Sequence, residues 1–575
     1  MCGIFTLLNA KENTIDLAKV SEAFLKGQSR GPESSILNTD YLKEYYAIIG
    51  FHRLAINGLN TTSDQPLIID NVVLICNGEI YNYKQLFSSL YETKEHIKTN
   101  SDCEVIIHMY LKYGMEYTLR QLDGEFAFVL YDFRDKDLSK MYVSRDPVGV
   151  RPLFKSIGSW GYEGLVHGFA SEMKQLHGLD SDSHITQFPP STFEMYCLDS
   201  NKNIWSEKTR AEYTNFCFYK QPTYSDLEFY YHGIRSSFTE AVKKRVENCE
   251  RPVACLLSGG LDSSLVASIV SKIYPKRLET YSIGLPGSED LKNAKLVAKF
   301  INSNHTEIVI SEEEFLDTIP KVIEIIESYD TTTVRASVGN FLVAEYISQH
   351  SEAKVILNGD GSDELMGGYL YFHAAPDDMS FDKECIHLLK NIHYFDALRS
   401  DRCISANGLE ARTPFLDRGW MDYYLSIPKH IRNHNNSKSI EKYLIRNAFD
   451  DGTYLPKEIL YRRKEAFSDG VSSSTRSWYE IIQEHMELLS LKGELGFFHD
   501  NENEYDLKGT HIPKSKEQLY YYSIFSKLYP RRSSIIPYYW MPNFIEATDA
   551  SARTLDIYKN NLSTSYHTDL INILK

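Results

Sequence analysis

The feature that most limits how this chain can fold is a change of period near residue 205. Before it, short apolar or aromatic runs (Ile4–Leu8, Ala47–Ile49, Val72–Cys76, Phe126–Tyr131, Phe193–Leu198) are bounded by Gly, Asn, Asp or Pro, which reads as strands and turns. Helical segments around Leu17–Leu25 and Glu104–Tyr113 interrupt them, so residues 2–205 are expected to form an α+β domain on packed antiparallel sheets. Residues 206–226 lose all periodicity and read as a linker. Beyond them Ile234, Phe238, Ala241, Val242 and Val246 share one helix face. Strand and helix then alternate: Val253–Leu257, helix Leu265–Ile273, strand Thr280–Ile283, helix Leu291–Phe300, strand Glu307–Ile310, and later strand Val355–Leu357. That alternation predicts an α/β doubly wound parallel sheet over residues 227–545, with ligands at the carboxyl ends of its strands. With 575 residues the chain is too long for a single core, so two such domains fit its size. Residues 546–575 read as a polar tail, and Asn433–Ser437 and Asn501–Tyr505 as exposed loops.

Charge and cysteine usage exclude several classes of partner. A formal net charge of −16 argues against nucleic acid, because phosphate binding needs a basic face. No stretch approaches the roughly 20 apolar residues that span a bilayer. The nine cysteines are scattered without a Cys-x-x-Cys pair, which fits reduced thiols in a cytoplasmic protein better than a disulfide frame or a zinc site. The start, Met1-Cys2-Gly3-Ile4-Phe5, lacks the basic region of a secretory signal. Small-molecule chemistry is the class left standing.

Cys2 follows the initiator methionine, so loss of Met1 would put a thiol and a free α-amino group on one residue. The amine, with a pKa near 7.7–8.0, can act as base for its own side chain. Alone, a Cys at position 2 says little. It is followed, in order, by Arg53-Leu54-Ala55-Ile56-Asn57, Gln65-Pro66-Leu67, Asn77-Gly78-Glu79-Ile80-Tyr81-Asn82, Ser101-Asp102 and Arg145-Asp146-x-x-Gly149-x-x-Pro152-Leu153. Singly, Arg53 and Asp102 read as surface ion pairs and Asn77-Gly78 as a hairpin turn. Together they resemble the class II glutamine amidotransferases, which are N-terminal-nucleophile hydrolases with a sandwich fold. The resemblance implies Cys2 as nucleophile, Asn77 and Gly78 as oxyanion donors, and Arg53 and Asp102 on the glutamine carboxylate and ammonium. Leu54, Ala55, Ile56, Asn57 and Glu79 would complete the glutamine site. Near position 30 the family has Arg-Gly-Pro-Asp, and this chain has Arg30-Gly31-Pro32-Glu33.

In the second half, Ser258-Gly259-Gly260-Leu261-Asp262-Ser263-Ser264 joins a strand to a helix. Its glycines let backbone N–H groups close on an anion, aided by the positive helix start and three hydroxyls. No Gly-Lys-Ser/Thr is present, so this is not a Walker loop. A second segment, Asn358-Gly359-Asp360-Gly361-Ser362-Asp363-Glu364, also follows a strand. It lies between Tyr329–Ser337 and the segments Gly408–Asp417 and Arg463–Gly470. These resemble the PP-loop ATP pyrophosphatases and, over about residues 1 to 540, the glutamine-hydrolysing asparagine synthetases of the B type.

The resemblance implies that Leu257, Ser258, Gly259, Gly260, Asp262, Ser263, Ser264, Ile283, Asn358, Gly359 and Lys464 bind ATP. Asp262 and Asp363 would hold Mg²⁺, and Thr332, Thr333 and Arg335 would serve the aspartate and phosphate region. It further implies ammonia transfer between the sites and, as in many relatives, a homodimer. One departure stands out: the family's Ser-Gly-Glu-Gly is Asn358-Gly359-Asp360-Gly361 here. Asp360 keeps the charge on a side chain shorter by roughly 1.5 Å, and synthetase activity is expected to survive through a small backbone shift. The rival readings are another acceptor on the same scaffold, a glutaminase alone, or a non-catalytic sensor of glutamine or nucleotide.

Overall fold

In this computed structural model, residues 1–11, 15–159, 165–180, 182–215, 220–473, 475–495 and 511–555 are described. Two six-stranded antiparallel sheets make up the first part. One runs in the order His184–Gln187, Phe154–Gly158, Val166–Ala170, Gly3–Leu8, Ala47–Arg53, Ser34–Asn38. The other runs Ile204–Glu212, Thr192–Asp199, Lys140–Arg145, Gly124–Asp132, Val72–Ile80, Leu67–Ile69. One apolar cluster draws Ile4, Ile49 and Phe169 from the first sheet and Ile75, Val129 and Val143 from the second. Each is fully or almost fully buried; alternate strand positions such as Val73 and Ile75 face this cluster, while Val72 and Leu74 face another on the far side of the sheet.

A five-stranded sheet, parallel throughout, organises the second part in the order Asn304–Val309, Glu279–Gly284, Val253–Leu256, Val355–Leu357, Glu410–Arg412. Its two central strands, VACL and VIL, are continuous apolar runs, as expected where helices cover both faces, while the edge strands Asn304–Val309 and Glu410–Arg412 are polar. The chain leaves Val253–Leu256 toward one edge of the sheet and later returns to its other side at Val355–Leu357. The order therefore reverses between these two neighbours, and the crevice beyond their carboxyl ends is where such a sheet binds ligands. Both Gly-rich segments leave from that place.

Three expectations about connecting segments need correction. The linker expected from 206 begins as strand, because Ile204–Glu212 pairs with Thr192–Asp199 and closes the edge of its sheet. Asn433–Ser437 is not an exposed loop throughout. Asn433 and His434 are buried, the first donating to Asp378 (2.8 Å) and the second packed edge-on against the rings of His373 and Phe381. The expected polar tail starts by folding back onto the second domain. Asp549 accepts from Arg335, Ser551 donates to Asp469 and Arg553 pairs with Glu465. Asn501–Tyr505 and residues 556–575 lie outside the described residues. The eight cysteines among the described residues are all free. No described helix is long and apolar enough to cross a membrane.

Candidate active site

The first site is assembled by strand register. Gly3 pairs antiparallel with His52, so Cys2 emerges beside the segment that leaves the end of the partner strand. The Cys2 thiol lies 3.6 Å from the carbonyl of Leu54. The other sheet contributes Val72–Ile80, which continues four residues beyond the expected Val72–Cys76 and carries Asn77, Gly78 and Glu79 as strand rather than turn. Cys2 N–H donates to Asn77 Oδ1 (3.1 Å), tying the two sheets together at the thiol. Gly78 has to be glycine, since a Cβ there would sit 2.4 Å from the carbonyl oxygen of Glu125 on the neighbouring strand.

Around the thiol, the Asn77 amide nitrogen is buried with no hydrogen-bond partner. A buried donor left unpaired is costly unless something else satisfies it. Asp102 accepts the Ile80 N–H (2.6 Å), and burial raises its carboxyl pKa to about 6. Glu79 is also buried, accepting from Asn57 (2.6 Å) and facing Arg412 at 3.2 Å. The Arg53 guanidinium reaches toward the 58–64 loop, where it pairs with Asp64 and donates to the carbonyls of Gly58 and Asn60. Burial pushes the Cys2 thiol up to about 11, and the neighbouring N-terminal amine works against that shift. Two quoted motifs turn out to be scaffolding. Gln65 clamps the backbone of Cys76 through both its amide groups, and the Asp146 carboxylate accepts backbone N–H groups from residues 148 to 151.

The second site opens at the switch point of the parallel sheet. Leu257, Ser258, Gly260, Asp262, Ser263, Ile283, Asn358, Gly359, Asp360, Asp363, Thr332 and Lys464 all line one cleft of about 210 Å³. Ser258 N–H donates to the Ser263 hydroxyl (3.1 Å), closing the first loop onto its helix. Gly259, at φ +72°, backs against the chain at Asn293–Ala294, where a Cβ would come within 2.4 Å of backbone. Ser264 is buried one turn into the helix Leu261–Ile273. Gly359 lets the second loop pass close to the first; a Cβ there would lie 2.8 Å from Ser263 N.

Asp262 and Asp363 are drawn together by two ammonium groups. Lys442 contacts them at 2.7 and 2.5 Å, and Lys464 at 3.8 and 2.5 Å. These cations hold the Asp363 carboxyl down at about 2. Asp360 is pushed up by burial but keeps Arg399 at 3.0 Å, and Asn358 donates to Ser400 (2.6 Å). Thr332 and Thr333 turn their hydroxyls to Asp330, at 2.7 and 2.8 Å. Arg335 does not line the cleft. It is buried against Glu517 (2.6 Å) and Asp549 (2.8 Å).

Lys442, Arg399 and Ser400 were not visible in the sequence as site residues. Lys442 lies in Ile440-Glu441-Lys442-Tyr443, with no glycine or strand run to mark it, and its backbone is left-handed at φ +60°. Arg399 and Ser400 belong to the helix Asp396–Ser405, whose unusual feature is that Arg399, Asp401 and Arg402 are all buried. Three charged residues within one turn of a helix were the only signal available.

Known proteins match the chain along almost its full length. Residues 1–204 match the family model described as a glutamine amidotransferase domain, and residues 233–381 and 374–543 match that of asparagine synthase. The class is therefore an amidotransferase domain joined to a synthase domain. Asparagine synthetase [glutamine-hydrolyzing] of Gallus gallus is 39% identical over 593 residues, covering 97% of this chain and 99% of that protein. The protein of the same name from Homo sapiens is 38% identical over 583 residues, with the same coverage. The chain belongs to the glutamine-hydrolysing asparagine synthetases. A solved glutamine phosphoribosylpyrophosphate amidotransferase from B. subtilis overlaps 54% of this chain and 91% of its own at 15% identity and a TM-score of 0.30, too loose to argue from.

Proposed function

We propose that the chain makes asparagine from aspartate, ATP and glutamine at two separate sites. The first part acts as an N-terminal-nucleophile hydrolase sandwich and the second as a PP-loop synthetase. At the first site the Cys2 thiol, deprotonated by its own α-amine once Met1 is removed, attacks the glutamine amide. Ammonia leaves and a γ-glutamyl thioester forms, which water hydrolyses to glutamate. Asn77 Nδ2 and the Gly78 N–H stabilise the tetrahedral oxyanion. The observation that carries this assignment is the unpartnered amide of Asn77, buried beside the nucleophile. Arg53 binds the substrate carboxylate, and Asp102 binds its ammonium in the ionised form. Glu79 and Asn57 hold the floor of the site.

At the second site ATP lies across the switch point, its phosphates over the 258–264 loop. The aspartate side-chain carboxylate attacks the α-phosphorus, giving β-aspartyl-AMP and pyrophosphate, and ammonia then displaces AMP. Lys464 and Lys442 offset charge on the leaving pyrophosphate, while Asp360 faces the reacting carbonyl. Asp262 and Asp363 fit Mg²⁺: both are hard oxygen donors beside the phosphate loop, Asp363 being held ionised by Lys442 and Lys464, and two carboxylates plus substrate oxygens are its common ligand set. When bound, Mg²⁺ would supply further charge neutralisation on pyrophosphate. Thr332 and Thr333 border the aspartate end. Arg335 acts from behind, through the Asp549 segment that walls the cleft.

The test is product analysis with aspartate, Mg·ATP and either glutamine or ammonium. Asparagine, AMP and pyrophosphate from both nitrogen donors are expected. Glutamate from glutamine without AMP would overturn the synthetase half of the proposal.

A further inference from the structure

The segment Arg30-Gly31-Pro32-Glu33 takes no chemical part in the mechanism above, yet both its charged residues touch the glutamine site and the synthetase half at once. Arg30 is fully buried. Its Nε donates to the main-chain carbonyl of Cys2 (2.9 Å), while its Nη1 and Nη2 reach Asp401 at 2.7 and 3.2 Å and Nη1 donates to the Ser405 hydroxyl (2.9 Å). Glu33 mirrors this arrangement. One carboxylate oxygen accepts the Ala55 N–H (2.8 Å), and the other pairs with Arg251 (2.7 Å), whose Nε donates to the Ala55 carbonyl (2.8 Å). Ala55 is next to Leu54, whose carbonyl accepts from the Cys2 thiol.

Asp401 and Ser405 lie on the helix Asp396–Ser405, and two residues of the same helix line or brace the second site: Arg399 binds Asp360 and Ser400 binds Asn358. Arg251 stands two residues before the strand Val253–Leu256 that feeds the phosphate loop.

We infer that Asp401, Ser405 and Arg251, all residues of the synthetase half, are positioning residues for the thiol site, acting through the Arg30–Glu33 clamp. The inference rests on the two-site reading. Nucleophile and acceptor groups must be held closely, since a displacement of about 1 Å can cost on the order of 100-fold in rate. Arg30 and Glu33 fix the Cys2 backbone and the 54–55 backbone, and the closest charged partner of each, Asp401 and Arg251, belongs to the second domain. The two carboxylate oxygens of Glu33 reach two partners, the Ala55 N–H and Arg251.

The experiment compares Asp401→Asn, Ser405→Ala and Arg251→Gln in the full chain. Glutamine hydrolysis and ammonia-dependent asparagine formation are measured separately, together with the rate at which a glutamine-like diazoketone alkylates Cys2. Each variant is expected to lose glutamine kcat/KM and the alkylation rate together, by about tenfold for Asp401→Asn and about threefold for the other two. Ammonia-dependent synthesis should stay within twofold. Arg251 is partly exposed, so Arg251→Gln decides the matter if Asp401→Asn fails to fold. Proportional loss of both activities, or unchanged alkylation, would overturn the inference. If the unsubstituted chain released no glutamate from glutamine, the two-site reading would fall first.

Discussion

Replacing Lys442 with methionine removes one of two cations that hold Asp262 and Asp363 together, and the consequences follow from the distances. The unsubstituted cluster balances two carboxylates against two ammonium groups. Without Lys442 it carries one net negative charge. Asp262 is affected most: it loses a partner at 2.7 Å and keeps the Ser362 hydroxyl (2.6 Å) and Lys464 at 3.8 Å. Asp363 keeps Lys464 at 2.5 Å. The Lys442 side chain is 1% exposed and both carboxylates 14%. Breaking a fully buried pair costs about 3–5 kcal/mol. The residual exposure and Lys464 reduce that to about 2–3 kcal/mol.

At about 2–4 °C per kcal/mol for a large domain, the synthetase transition should fall by about 5–10 °C in calorimetry. The methionine occupies the same volume, so a packing defect is not the cause. Ammonia-dependent pyrophosphate release should drop about 100-fold, because the carboxylates then repel each other and the phosphates meet less positive charge. Glutamine hydrolysis should stay within twofold. Lys442→Arg should recover most of the stability but not the rate, since a planar fork cannot replace a point charge between two carboxylates. A Lys442→Met protein that melts within 1 °C of the parent and releases pyrophosphate normally would refute the reasoning.

The other predictions concern the two sites separately. Cys2→Ala should abolish glutamate formation yet keep ammonia-dependent synthesis, and equal loss of both in paired assays would contradict separate sites. In its proposed role Asp102 must be ionised to hold the glutamine ammonium, and its carboxyl is raised to about 6 by burial. Glutamine kcat/KM should therefore fall about tenfold per pH unit below 6, where the group takes up its proton, and level off above about 7. That limb should vanish in Asp102→Asn, whose residual activity is low at every pH. Asp360→Glu should change synthetase turnover by less than about tenfold in either direction, measured as AMP formation. A rise of two orders of magnitude would mean that the shorter carboxylate is a defect the backbone does not correct.

The loops that form the second candidate site were legible in the sequence because each is local. A Gly-rich loop between a strand and a helix needs only neighbours along the chain, and the same holds for the 358–364 loop at the adjacent strand. Their juxtaposition follows once the strand order reverses there. Cys2 was legible through its position, and Asn77-Gly78 through its place in an ordered set of motifs. The exposed edge of an antiparallel sheet explains the linker error: Ile204–Glu212 has few buried residues to give it a period, and its pairing with Thr192–Asp199 is what makes it a strand.

Contacts made across long separations left no such mark. Lys442 meets Asp262 across 180 residues, Arg335 meets Glu517 across 182 and Arg30 meets Asp401 across 371. A lysine, an arginine or an aspartate in isolation reads as a solvated side chain, and burial is the evidence that it is not. Burying a charge is costly unless a partner is supplied, so each of these residues requires a specific residue on a distant element to be in place. That requirement makes the Arg30–Asp401 contact more than a seal between domains. Glu172 of its own domain lies 3.6 Å away, but the closest carboxylate to Arg30 is Asp401 of the synthetase half, and the Arg30 Nε that is thus oriented holds the backbone of the nucleophile itself. Hydrolysis of glutamine thus depends on the presence of the domain that consumes its ammonia, through a salt bridge that neither local motif contains.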